Sequence, residues 1–183
     1  MAGDPDTVIR AAEPWDAEAL ARISQRAWEL TYRGIVPDPV LDEWIATVPQ
    51  NWRDTLTAAD AGSAARRWVG ERAGVSLGYA TTAPGGATWL SPPDGAGELT
   101  NLYVDPDAIG TGLGRALYEH AVADLRERGF APFVVWAFRD NERATRFYLA
   151  RGLRMDAEHD WVLGDIPCPI VRFRADWPAS APR

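Results

Sequence analysis

Lysine is absent from this chain: all 19 basic residues are arginines, set against 26 aspartates and glutamates, for a net charge of −7 over 183 residues. A phosphate loop of the NTPase kind needs Gly-Lys-Ser/Thr and is therefore excluded. The acidic balance argues against broad non-specific attraction to nucleic acid and favours a cationic partner. With abundant Ala, Asp and Gly, the arginine-only usage reads as the codon bias of a GC-rich bacterial genome. Cysteine is nearly absent too. Cys168, alone between two prolines, excludes an intramolecular disulfide framework and fits a reducing, cytoplasmic compartment. His120, expected to face solvent on its helix, and His159 are scattered, so no spacing suits a metal. No apolar run approaches the roughly 20 residues that span a bilayer, and no membrane association is expected. The opening Met-Ala-Gly-Asp-Pro-Asp lacks the basic and apolar segments of a secretory signal.

What is present points to a packed core. The chain is 46% hydrophobic with nine tryptophans, and its length suits one domain, expected over residues 8–174 with flexible termini at 1–7 and 175–183. Ala19, Leu20, Ile23, Ala27 and Leu30 repeat at three and four and give a helix one apolar face. Two short helices follow, Leu41–Ala46 and Gln50–Ala59, separated by Pro49. Arg67–Glu71 and Ser76–Thr81 read as a hairpin around Gly74, and the Pro- and Gly-rich stretch 84–97 as a surface insertion or a flap. Two closing strands are expected near Arg154–Leu163 and Ile170–Arg174.

The most specific stretch is Glu98-Leu-Thr-Asn-Leu-Tyr-Val-Asp-Pro-Asp-Ala-Ile-Gly-Thr-Gly-Leu-Gly-Arg115. An apolar strand ends at a Pro turn, and Gly110, Gly112 and Gly114 open a helix over 112–128 striped with Leu113, Leu117, Ala121 and Leu125. The first N–H groups of a helix have no internal partner, and glycines let backbone approach a ligand closely, so the place suits a pyrophosphate. The dinucleotide fingerprint fails, because Arg115 stands where its third glycine belongs. A second motif lies downstream. Phe133–Phe138 is a buried strand, and Asn141 caps a helix carrying Ala144, Phe147 and Tyr148 that stops at Gly152.

These two motifs, in this order and at this separation, resemble the GNAT-family N-acetyltransferases. The family's coenzyme A loop, Gln/Arg-x-x-Gly-x-Gly/Ala, reads here Ile109-Gly110-Thr111-Gly112-Leu113-Gly114. The family's Asn-x-x-Ala-x-x-Phe-Tyr-x-x-x-Gly-Phe is matched by Asn141, Ala144, Phe147, Tyr148 and Gly152, with Leu153 replacing the last Phe. Ile109 departs from the usual Gln or Arg and removes a polar side chain near the pyrophosphate, leaving that contact to backbone N–H groups and Arg115.

The resemblance covers about Val8 to Phe173. It implies an α/β single-domain GNAT-like fold with a mixed, mostly antiparallel central sheet flanked by helices. It implies acetyl-CoA as cosubstrate, no metal, and direct attack by a primary amine of a small molecule, polyamine or peptide N-terminus. The enzyme would act as a monomer or homodimer without nucleic acid. Leu102, Tyr103 and Val104 would join residues 109–115 and Asn141 in holding the cofactor. The backbone N–H of Val104 or Tyr103, at a bulge, would face the oxyanion. Tyr148 matches the tyrosine that protonates the departing thiolate, with an aromatic core residue as the competing reading. Glu98 is the candidate base, weighed against a surface carboxylate at a strand end. Trp28, Tyr32 and Asn101 are the candidate acceptor contacts, although aromatics at helical spacing equally make core, and Trp44 follows in the same region. A non-catalytic acyl-CoA sensor, or a relative binding another acyl carrier, is the rival.

Overall fold

A computed structural model of the chain describes residues 6–57, 64–86 and 92–177. Among these residues seven strands form one sheet in the order β1-β2-β3-β4-β5-β7-β6. They are β1 (Thr7–Ala11), β2 (Arg66–Arg72), β3 (Val75–Pro84), β4 (Gly97–Val104), β5 (Phe133–Phe138), β6 (Arg154–Leu163) and β7 (Ile166–Ala175). Every pairing is antiparallel except β4 with β5. The β2–β3 hairpin closes through Ala73 and Gly74, both at positive φ (47° and 75°), as a two-residue hairpin turn requires. The sheet is thus the mixed, mostly antiparallel one expected.

Helices cover both faces. α1 (Ala17–Tyr32) and α2 (Asp38–Thr57) lie on one side, where Leu20, Ile23, Val48 and Trp52 bury Val69 and Tyr79 of the sheet. α3 (Leu113–Glu127) and α4 (Glu142–Leu149) lie on the other, where Leu113, Leu117, Leu125 and Tyr148 pack with Leu99, Phe133, Val135 and Phe173. The alternation along β5 serves both cores: Val135 and Ala137 face α3 and α4, Trp136 and Phe138 face α2.

Three sequence expectations change. Pro49 does not separate two helices; it lies inside α2, which runs unbroken to Thr57, and residues 58–59 fall outside the described chain. A proline there removes the N–H that would bond the carbonyl of Ile45. The amide of Gln25 on α1 replaces it, donating to the Ile45 carbonyl at 3.0 Å. The last strand starts at Ile166 rather than Ile170 and includes Ala175, and Trp177 stacks on Phe133 at 4.8 Å, so packing continues beyond residue 174. His120 does not face solvent: it is half-buried with its ring 4.3 Å from Trp68, and that burial lowers its pKa. Trp89 and Leu90 of the suspected flap lie outside the described residues.

Because one side-chain amide substitutes for one missing backbone donor, Gln25 and Pro49 should be coupled. Gln25→Leu should cost about 1 kcal/mol in urea unfolding, the usual penalty for orphaning a part-buried carbonyl, and close to nothing in a Pro49→Ala background, where the helix supplies the bond itself.

Candidate functional site

The site begins where β4 and β5 part. Their parallel ladder holds only two pairs, Gly97↔Phe133 and Glu98↔Val134, and then the strands diverge. On its other side β4 stays paired with β3 down to Gly78↔Val104. The Asp105 N–H donates to the Leu77 carbonyl at 2.7 Å, which sets the phase of that ladder. By antiparallel alternation, the amide of Tyr103 then faces β3, while those of Leu102 and Val104 face the gap. Of the two amides considered for an oxyanion, geometry therefore leaves Val104 and removes Tyr103. The strand irregularity is also elsewhere: Thr81↔Asn101 is followed by Thr82↔Leu99, so Thr100 is the extra residue.

That bulge decides which side chains meet. In a regular strand residues 98 and 101 would point to opposite faces. With Thr100 inserted, Glu98, Asn101 and Tyr103 all line one pocket of about 360 Å³. Trp28 and Tyr32 from α1, Trp44 from α2, Trp136 and Phe138 from β5 and Trp161 from β6 complete its walls. Trp161 stacks on Phe138 (5.6 Å, 6° between planes) and on Trp44 (5.4 Å, 24°). The Tyr32 and Tyr103 hydroxyls are 2.7 Å apart, and burial pushes both phenols above their ordinary pKa. Glu98 is 1% exposed, so it is not a surface carboxylate.

On the other side of the gap lies a second cleft, of about 390 Å³. Leu102, Tyr103, Val104, Ile109, Gly110, Gly112, Gly114, Arg115 and Asn141 line it, as does Tyr148. Thr111 and Leu113 do not: Leu113 is buried under the sheet, and Thr111 turns its hydroxyl to the Ala108 carbonyl at 2.6 Å. Gly112 caps α3 at φ 92°, a left-handed conformation with open space around the missing Cβ, so glycine is required there for backbone shape rather than for room. Asn141 accepts the Ala144 N–H at 3.1 Å and fixes the start of α4. Burial raises the Tyr148 phenol well above its ordinary pKa.

Sequence reasoning missed two cationic groups here. Arg143 and Arg151 join Arg115 along the cleft, and no carboxylate lines it among the described residues. Arg151 lies 3.3 Å over the Phe147 ring, and its burial lowers its pKa. From the sequence Arg151 reads only as one more residue at helical spacing, and Arg143 occupies an unspecified position of the second motif. The two clefts meet at Tyr32, Leu99, Thr100, Tyr103, Trp136 and Ala137, which line both. Cys168 lines neither; it is buried and its thiol is pushed up by that burial.

A split sheet with an open helix N-terminus on one side and an aromatic pocket on the other defines the class. The sequence profile described as "Acetyltransferase (GNAT) family" matches residues 18–153, and the chain belongs to that family. Among curated relatives, a mycothiol acetyltransferase of Cellulomonas flavigena is 34% identical over 126 residues, covering 61% of this chain and 34% of the relative. Another, from a Parafrankia species, is 28% identical over 180 residues, covering 85% of this chain and 52% of the relative. The chain thus spans about half or less of these proteins' length. Among solved structures, the PaiA N-acetyltransferase of Thermoplasma acidophilum in complex with coenzyme A superposes with a TM-score of 0.73 at 17% identity, covering 93% of this chain and 99% of that one. A ribosomal-protein-alanine N-acetyltransferase of Brucella melitensis gives 0.72 at 22% identity, with 93% and 99% covered. The fold is theirs. Among the described residues no helix is long and apolar enough to cross a membrane, and no group of His, Cys, Asp and Glu gathers as metal ligands.

The left-handed cap yields a test of the cofactor loop. Gly112→Val should weaken acetyl-CoA binding by more than about tenfold in titration calorimetry, since a β-branched residue cannot hold φ 92° without strain. Gly112→Asn, which tolerates that conformation, should lose far less. Equal affinities across the three proteins would remove the loop from the binding site.

Proposed function

We propose that this chain is an acetyl-CoA-dependent N-acetyltransferase that acetylates a primary amine by direct attack, the cofactor lying in the arginine-lined cleft and the amine in the aromatic pocket. The observation that carries this reading is the junction of the two clefts at the β4–β5 gap, with Glu98 on the pocket side and Tyr148 on the cleft side. The family and the fold support it, as do the N-acetyltransferase names of the structural neighbours.

The cleft suits a polyanion that carries an acyl arm. Arg115, Arg143 and Arg151 provide positive charge within a chain whose net charge is −7. The free amides at the start of α3 would take the pyrophosphate. The gap-facing amides of Leu102 and Val104 would hold the pantetheine arm as a third strand holds its neighbour. Ile109, 40% exposed at the cleft edge, offers no hydrogen bond, and the arginines supply what a polar residue there would have given.

Chemistry then requires a neutral amine, a polarised thioester carbonyl and a proton for the departing sulfur. Glu98, directly or through water, removes the ammonium proton. The Val104 amide polarises the carbonyl. Tyr148 stays protonated at every working pH because its burial raises its pKa, so it donates a hydrogen bond to the sulfur as charge develops there. Nitrogen loses two protons in all, one as the ammonium before attack and one as the tetrahedral adduct collapses. One leaves to solvent through Glu98, the other replaces the proton that the thiolate takes up through Tyr148, and the balance closes without a covalent enzyme intermediate.

The two proton positions separate by mutation. Tyr148→Phe keeps the ring and should lower turnover by roughly 10²–10⁴ while acetyl-CoA affinity stays within about twofold. The wild-type rate should show no basic limb owing to Tyr148 below about pH 10, since that phenol titrates above its ordinary value near 10. Glu98→Gln should lose most rate at acidic pH, where the amine is protonated, and recover in part as pH rises. A Glu98→Gln profile parallel to wild type would take the base away from Glu98.

A further inference from the structure

The aromatic pocket narrows the acceptor beyond "a primary amine", and the inference rests on the acetyl-transfer reading above. The geometry points to a monoamine with a single ammonium on a compact aryl or similarly flat apolar body, and away from polyamines, amino acids and peptide N-termini.

Charge gives the first argument. Among the described residues lining the pocket, Glu98 is the only charged one. One buried carboxylate matches one ammonium. A second ammonium held inside the pocket would have only neutral Thr47, Asn51, Thr100 and Asn101 to meet it and no second carboxylate, at a desolvation cost. An amino acid's carboxylate would find no arginine, because all three lie in the cofactor cleft.

Shape gives the second. Trp44, Trp161 and Phe138 form a continuous stacked wall, and Trp28 meets Trp44 edge-on at 6.3 Å, so that seven of the 15 lining residues are aromatic. A flat apolar body buries its area on such a wall, and an ammonium beside it gains the attraction of the ring quadrupoles. A peptide carries a donor and an acceptor at each residue; the stacked wall offers it only indole N–H groups, and the pocket's neutral polar side chains besides the Tyr32–Tyr103 hydroxyl pair are Thr47, Asn51, Thr100 and Asn101. At about 360 Å³ the pocket is at the small end of ligand sites, which run from roughly 300 to 1,000 Å³.

The test uses the whole chain. Titration calorimetry in saturating coenzyme A measures binding of 2-phenylethylamine, putrescine and an Ala-Gly dipeptide amide, and thiol release from acetyl-CoA gives kcat/KM for each. Phenylethylamine should bind, and be turned over, at least about tenfold better than either other amine, the worth of one buried ring with its cation–π contact. Trp161→Ala should erase that preference while the KM for acetyl-CoA is unchanged, since Trp161 lines only the acceptor pocket. Trp161→Phe, which keeps a stacking ring, should retain most of it and guards against misfolding of the alanine variant. Putrescine or the dipeptide amide binding as well or better, or no amine binding at all, overturns the monoamine inference. Faster turnover of either one does so while leaving acetyl transfer standing. Selective binding of phenylethylamine with no thiol release from any amine would instead overturn the acetyl-transfer reading and leave the ligand class intact.

Discussion

After Glu98 and Val134 the two central strands separate, and most of what the molecule can do follows from that early parting. A parallel pair that continued would consume its own amides and carbonyls. Here the root of the pair is pinned, by the Gly97 N–H to the Pro132 carbonyl at 2.9 Å and the Ala131 N–H to the Gly95 carbonyl at 3.1 Å, while the far ends are held by other partners. β3 keeps β4 in place and β7 keeps β5. The seven-stranded sheet therefore contains an internal edge without losing its continuity. Exposed strand edges are sticky, and this one is narrow and flanked by α1 and α4, which restricts what can add to it to something thin and extended.

The bulge at Thr100 is the companion constraint. By shifting the alternation one step, it brings the buried carboxylate of Glu98 to the same side as Asn101 and the paired hydroxyls of Tyr103 and Tyr32. The two sides of the gap consequently differ in kind: guanidinium and open amides on one, rings and a single carboxylate on the other. An overall charge of −7 conceals this, because the excess acid is distributed elsewhere.

The half of this arrangement proposed to hold the cofactor was legible in the residues because it is local. Strand, turn, glycines and helix follow one another from Glu98 to Arg115, and the Phe133–Gly152 stretch repeats the pattern of strand, cap and helix. Residues that make contacts within one such unit carry their spacing openly. The divergence of β4 from β5 and the bulge at Thr100 depend on pairing between segments far apart, and no periodicity records them. Trp28, Tyr32 and Asn101 were named for the acceptor side, yet Trp136 read as plain core and Trp161 as one residue of a closing strand, although together they wall the pocket. Pro49 misled for a similar reason. Its helix-breaking tendency is an intrinsic property, and the Gln25 amide that offsets it comes from a different helix.

Trp161 stands on the β6–β7 hairpin, at the outer edge of the sheet, and lies beyond residues 18–153 that carry the family's pattern. Its stacking partner, Trp44, stands on α2, which follows α1 rather than either cofactor motif. Part of the surface that would select the acceptor is thus borne by segments outside the two cofactor motifs, while the surfaces that would hold the common donor are encoded in the centre. Such a division makes the two halves separately heritable. An edge hairpin or one helical turn can be exchanged without disturbing the glycine loop, so a lineage could acquire new acceptors by small, independent changes while its acyl donor stays the same.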